Sequence, residues 1–148
     1  MGLWLSLLFL AGAGEITVMA SRSGDRVMLI VDWPDCPAKI QPGQDYRRSA
    51  CFAVPSGLNV HKIATFIGND RGNLVEADVQ VYTPAGYYLL QRSEHRETPS
   101  QYDAWKTERL EEAWSGPELC VSVLGRSTDN RPVHLLWSVR LEGRVSER

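Results

Sequence analysis

No stretch of this sequence gathers Lys and Arg: the 16 basic residues are scattered among 18 acidic ones, for a formal net charge of -2. Phosphate backbones demand a basic run or face, so the primary structure argues against nucleic acid as a partner. Cysteine is scarce as well. Cys36, Cys51 and Cys120 show none of the close paired spacing that zinc sites use, and an odd count leaves at least one thiol without an intramolecular partner. His61, His95 and His134 lie far apart, and none falls in a local metal-binding or nucleophile motif. A glycine-rich phosphate loop and internal repeats are also missing. With no motif on which to build a catalytic constellation, the expected mode of action is binding or assembly and not chemistry. The enzymatic alternative is Cys51 or Cys120 meeting one of the histidines in space, which no local signature supports.

Long apolar runs are absent too. The most apolar segment, residues 1–14, contains Gly2-Leu3-Trp4-Leu5-Ser6-Leu7-Leu8-Phe9-Leu10 and is far too short to span a bilayer as a helix. It is followed by Ala11-Gly12-Ala13, the small-x-small form that signal peptidase cleaves, which points to a secreted or cell-envelope protein. The lack of any Lys or Arg ahead of it, and its shortness, point instead to a retained strand packed on the core or between chains. Both readings stand, with Met19 as a further candidate start.

What is present is the pattern of an all-β protein. A chain of 148 residues with 43% hydrophobic composition can bury one core, so residues 15–148 are expected to form one domain. Eight prolines and twelve glycines punctuate short elements along the chain. Two β-rich runs, 15–20 and 26–33, flank Ser21 to Asp25 and suggest a hairpin, and the Pro-rich stretch after it, which carries Cys36, suggests a connecting loop. Tyr46 to Val54 alternates and stops at Pro55-Ser56-Gly57; Asn59 to Ile67 is extended again. Val75, Ala77, Val79 and Val81 alternate with Glu76, Asp78 and Gln80, and a return strand from Tyr87 to Gln91 completes a second hairpin. Leu119, Val121 and Val123, and then Val133, Leu135, Trp137, Val139 and Leu141, repeat the period of two. Between them, Trp105, Leu110 and Trp114 keep poor helical phase, so Lys106 to Trp114 reads as a strand. About eight strands separated by Gly, Pro and Asn turns describe an antiparallel β-sandwich with a jelly-roll-like character.

Gln41-Pro42-Gly43-Gln44 leading to Tyr46, followed by Phe52-Ala53-Val54-Pro55-Ser56-Gly57, resembles the opening of the bacterial pre-peptidase C-terminal domain. Ala77 to Gly86 is similar to that family's aspartate-bearing strand and Pro-x-Gly hairpin, and Glu108 to Trp114, Ser115 to Val123 and Val133 to Leu141 resemble its last three strands. The resemblance covers about residues 41–142. Leu119-Cys120 replaces the family's usual tandem aromatic, and its aspartate-rich calcium cluster is not evident. The resemblance implies a secreted, non-catalytic accessory domain that binds matrix, polysaccharide or a neighbouring domain.

Tyr82, Tyr87, Tyr88, Tyr102, Trp105 and Trp114 form the candidate binding surface, because exposed aromatics offer large contact area at low entropy cost to polysaccharide or protein partners. Alternation alone would turn about half of them inward. No cofactor is expected; the one candidate metal is calcium, on Asp70, Asn73 and Asp78 around a glycine-bearing turn, where turn geometry explains the same residues without an ion. A disulfide between Cys36 and Cys51 would close a short loop and suit an exported protein, whereas three free thiols would suit a reducing compartment. The leading expectation is an extracellular binding module. Its alternative is a structural subunit that pairs with copies of itself through edge strands.

Overall fold

Hydrophobic alternation of period two needs a second apolar surface to bury its inward face, and here each of two antiparallel sheets supplies it to the other. The computed structural model describes residues 7–11, 16–33, 38–69, 75–95, 102–128 and 130–146. The described residues contain eleven strands and no helix: β1 (Leu7–Ala11), β2 (Ile16–Ser23), β3 (Arg26–Asp32), β4 (Ala38–Ile40), β5 (Asp45–Ala53), β6 (Leu58–Asn69), β7 (Val75–Tyr82), β8 (Tyr88–His95), β9 (Tyr102–Trp114), β10 (Glu118–Ser127) and β11 (Val133–Val145). The larger, seven-stranded sheet runs β1-β2-β3-β11-β6-β9, with β4 also paired to β11; the four-stranded sheet runs β5-β10-β7-β8. From β5 onward the chain crosses repeatedly between the sheets, which gives the sandwich its jelly-roll-like path.

Eleven strands replace the expected eight for local reasons. Leu7–Ala11 extends the large sheet by pairing with β2. The Pro-rich stretch expected as loop carries β4, whose Ala38 and Ile40 are buried and which pairs with Val133–Leu135 beyond the point where β3 leaves β11. The first hairpin is tighter than expected, since Ser23 pairs with Arg26 and leaves only Gly24 and Asp25 in the turn, with Gly24 at φ 64° in the left-handed region. The region read as a strand from Lys106 is one, and begins at Tyr102.

The core is one cluster drawn from both sheets. Val133, Leu135, Trp137, Val139 and Leu141 of β11 face Val79, Val81, Leu119, Val121 and Val123 of the small sheet, all buried. Trp33 and Trp137 meet inside it with ring centroids 5.0 Å apart. Each fully buried aliphatic side chain contributes roughly 1.5–3 kcal/mol relative to exposure. Among the described residues one charge enters this interior. Arg92 of β8 is buried and donates from Nη1 to the Thr65 carbonyl at 2.8 Å and to Thr65 Oγ1 at 3.0 Å, while its Nε donates to Glu94 at 3.1 Å. It thereby ties the edge of the small sheet to β6 of the large one, with its charge compensated as a buried guanidinium requires.

The disulfide differs from the expected one. Cys51 on β5 lies directly opposite Cys120 on β10, with Cα atoms 3.9 Å apart, and the two sulfurs are bonded. Cys51 is therefore not available to Cys36, which lies outside the described residues. Short spacing favours Cys36 in the sequence, but the β5–β10 register decides the pairing. At the far end of the same two strands, Arg126 donates to Asp45 at 2.8 Å and holds that carboxyl below the usual carboxylate range.

The bond joins residues 69 apart in sequence, so removing it restores considerable freedom to the unfolded chain. A Cys51→Ala/Cys120→Ala variant is expected to lose about 2–4 kcal/mol of stability in urea unfolding monitored by fluorescence. An unchanged unfolding midpoint would show that the sheet register alone carries this part of the fold.

Candidate functional site

In β6, Leu58 and Val60 face the core, and so do Ile63, Thr65 and Ile67, which have the opposite parity. The chain must therefore slip by one residue between them, and the slip falls at His61: Gly143 of β11 pairs with Val60, whereas the preceding Glu142 pairs with Lys62. Gly143 is what lets the slipped strand close in. A Cβ there would stand 2.3 Å from the Asn59 carbonyl oxygen and 2.9 Å from Leu58 Cδ1, so only a glycine fits. On the other side of β6 the disturbance is larger. Val60 pairs with Trp114 but Lys62 with Arg109, so β9 bulges outward over Leu110–Ala113. Bulges bend and twist a sheet locally. Between the two bulges the outer face of the large sheet, the side away from the small sheet, hollows into a groove of about 860 Å³ across β2, β3, β11, β6 and β9.

The groove is polar and mostly cationic. Arg26, Lys62, Arg109 and Arg144 line it against the single carboxylate of Glu142, with His61 at the slip. Lys62 lies 3.7 Å from Glu142, and Arg144 donates to Asp25 at 3.1 Å. Exposed pairs of this kind contribute little to stability and yield readily to a competing ligand. The Arg26 and Arg109 side chains make no hydrogen bond or ion pair with any described residue.

On the same face, four residues along β9 from Arg109, stands Trp105. It pairs across the sheet with Phe66, their rings 5.3 Å apart, and the Arg140 guanidinium lies 4.3 Å from its ring centroid. Trp105 is nevertheless 44% exposed. The indole is thus held in place by a hydrophobic and a cation–π contact while presenting open aromatic surface on the face into which the groove opens.

The six aromatic residues singled out in the sequence do not form one surface. Tyr82 and Tyr88 meet on the small sheet with ring centroids 5.6 Å apart, and Tyr87 is the most exposed of the described members of the set. Tyr87 and Tyr88 share a second groove, of about 620 Å³ between the edges β8 and β9, with Trp114, with Glu108, Glu111 and Glu112, and with Arg109, which borders both grooves. Trp114 itself packs on the core and folds its indole over Gly116, where a Cβ would come within 2.6 Å of the ring. Trp105 stands alone on the outer face of the large sheet. The backbone of Tyr102, in β9, pairs with Asn69 of β6, and the Tyr102 side chain lies outside the described set.

Of the calcium candidates, Asp70 and Asn73 lie outside the described residues, and Asp78 accepts a hydrogen bond from Ser93 Oγ on the small sheet. Among the described residues no three metal-ligating side chains converge. The cysteine–histidine alternative loses its nucleophile, because Cys51 and Cys120 are bonded to each other. Sequence reasoning missed Arg26, Lys62, Arg109, Arg140 and Arg144, whose convergence depends on long-range register. Two local signals did exist: the parity change between Val60 and Ile63, and a glycine inside the alternating strand β11.

The chain matches no family model and no curated protein. Similar solved structures include TmCBM27, a carbohydrate-binding module characterised for specific mannan recognition, at 17% identity over 96% of this chain and 89% of that one, with TM-score 0.37. TmCBM61 in complex with β-1,4-galactotriose aligns at 10% identity over 86% of this chain and 70% of its own, with TM-score 0.36. The arabinose-bound α-L-arabinofuranosidase MgGH51 aligns at 10% identity and TM-score 0.40 over 94% of this chain, which spans only 23% of the arabinofuranosidase.

A Gly143→Ala variant is expected to lose about 1–3 kcal/mol, since the new methyl meets backbone and not a movable side-chain tip. Urea unfolding checks this, and a neutral substitution would show that β6 does not hold the slipped register.

Proposed function

We propose that this chain is a non-catalytic, extracellular binding module that takes a polysaccharide along the outer face of the large sheet. The observation that carries this reading is Trp105: an exposed indole, held by Phe66 and Arg140, on the same sheet face as an open groove lined with hydrogen-bonding side chains and four residues along β9 from its Arg109. A sugar ring is amphipathic in the matching way, with an apolar C–H face for the indole and hydroxyls around its rim for the groove. Small ligands are usually enclosed over most of their surface. An open groove along a sheet suits a polymer that enters and leaves at both ends.

The Cys51–Cys120 bond supports an oxidising compartment. The resemblance to the pre-peptidase C-terminal domain fits the same accessory role. Assembly through the β9 edge is less favoured, because β9 exposes Lys106, Glu108, Arg109, Glu111 and Glu112 along its length, and charged edges resist strand addition.

The test is binding to a panel of soluble polysaccharides by affinity electrophoresis and calorimetry. Trp105→Ala should weaken binding by about 2 kcal/mol, roughly thirtyfold, with an unchanged circular dichroism spectrum. Tyr88→Ala, on the other groove, should bind as the wild type does. Equal binding by Trp105→Ala, or no binding to any polysaccharide, would refute the reading.

A further inference from the structure

The cations that are scattered along the chain converge on one face of the fold. Arg26 comes from β3, Arg140 and Arg144 from β11, Lys62 from β6 and Arg109 from β9, and the registers of these strands bring all five to the outer face of the large sheet. The protein as a whole is acidic, with a formal charge of -2, so this face carries a local sign opposite to that of the molecule. Glu142 in the groove and Asp25 at its rim are each committed to a cation, through Lys62 and Arg144 respectively, and Asp32 lies on the same face at the far end of β3. The Arg26 and Arg109 side chains are exposed and make no ion pair with any described residue, although Arg109 also borders the groove that holds Glu108, Glu111 and Glu112. The two arginines stand on opposite walls, three strand intervals apart, which is about 14 Å in the hydrogen-bonding direction. Arginine's planar fork binds carboxylate and sulfate groups with two parallel hydrogen bonds.

We infer that the ligand of this groove is an anionic polysaccharide, carrying carboxylate or sulfate groups along its chain, with successive anionic groups engaged by Arg26 and Arg109 and one sugar ring stacked on Trp105. The inference rests on the reading of this face as a polysaccharide-binding surface and adds the charge class of the ligand. A neutral glycan would leave both guanidinium groups facing hydroxyls alone. A single-stranded nucleic acid would satisfy the cations, but it stacks successive bases on several aromatics. Trp105 is the one exposed large aromatic on this face among the described residues. The groove also holds acceptors and hydroxyls, Glu142, Ser21, Ser23 and Asn59, which sugar hydroxyls can engage and a phosphodiester backbone cannot supply with donors.

The experiment is affinity electrophoresis of the full chain in native gels containing alginate, polygalacturonate, chondroitin sulfate, neutral mannan or neutral xylan, with calorimetry on the retained cases. Four proteins are compared: wild type, Arg26→Gln/Arg109→Gln, Trp105→Ala, and Arg47→Gln/Arg126→Gln as a charge-matched control on the small sheet. The inference expects retention of the wild type by at least one anionic glycan, weakening as salt rises. It expects a loss of roughly tenfold for each cation removed in Arg26→Gln/Arg109→Gln, with the control near wild type. Retention by the uronates alone identifies carboxylate as the group recognised, and retention by chondroitin sulfate without the uronates identifies sulfate. Equal retention by neutral glycans, with Arg26→Gln/Arg109→Gln unaltered, overturns the inference while leaving the polysaccharide reading in place. Equal loss in the small-sheet control also overturns it, since net charge and not the groove would then be responsible. Tighter binding of a single-stranded oligodeoxynucleotide than of any glycan replaces it with nucleic acid. Retention by none of the glycans ends both readings together.

Discussion

The one-residue slip of β6 at His61 is the constraint on which the candidate site depends. It lets a strand of twelve residues keep an apolar face on the core at both ends although its inward residues change parity midway. The slip brings the Asn59 carbonyl so close to β11 that position 143 must be glycine, and β9 answers with the larger bulge over Leu110–Ala113. A regular sheet would present a smoothly twisted outer face. The two irregularities hollow it, and they set Arg109 and Arg26 on the two walls of the hollow.

The remainder of the fold keeps that irregular centre in place. On the core side the inward rows of β11 and β10 interlock over the Trp33–Trp137 pair. At the edge, Arg92 fastens β8 to β6 within a few residues of the slip, through the Thr65 carbonyl and hydroxyl. On the small sheet the Cys51–Cys120 bond locks β5 to β10. Deformation of the large sheet is thus confined to its outer face, where it creates a surface without opening the core.

Strong alternation made much of this legible from sequence. Val75–Tyr82, Glu118–Ser127 and Val133–Val145 are half-buried strands whose inward residues can be read directly from the period of two. Turns announced themselves through Gly24 and Gly86, both at positive φ. What escaped has identifiable physical causes. β4 is three residues long, too short to show a period. In β9 the apolar residues do keep a strand phase, with Leu110 and Trp114 packing on the core and Trp105, of the other parity, facing out, but Lys106, Glu108 and Glu112 fill the positions that share parity with Leu110 and mask the period. Neither the disulfide partner of Cys51 nor the cationic groove could be read locally. Both are set by which strands become neighbours, and short-range spacing carries no information about that.

The central claim is that the hollowed outer face of the large sheet is where this protein meets its ligand. Nitrogen-15 NMR of the full chain, titrated with an oligogalacturonate, reports on that location most directly. The account predicts that the largest shifts fall on the Trp105 indole and on the amides of Lys62, Arg109 and Gly143. Shifts centred on Tyr87, Tyr88 and Glu111, with the outer face unmoved, would contradict it.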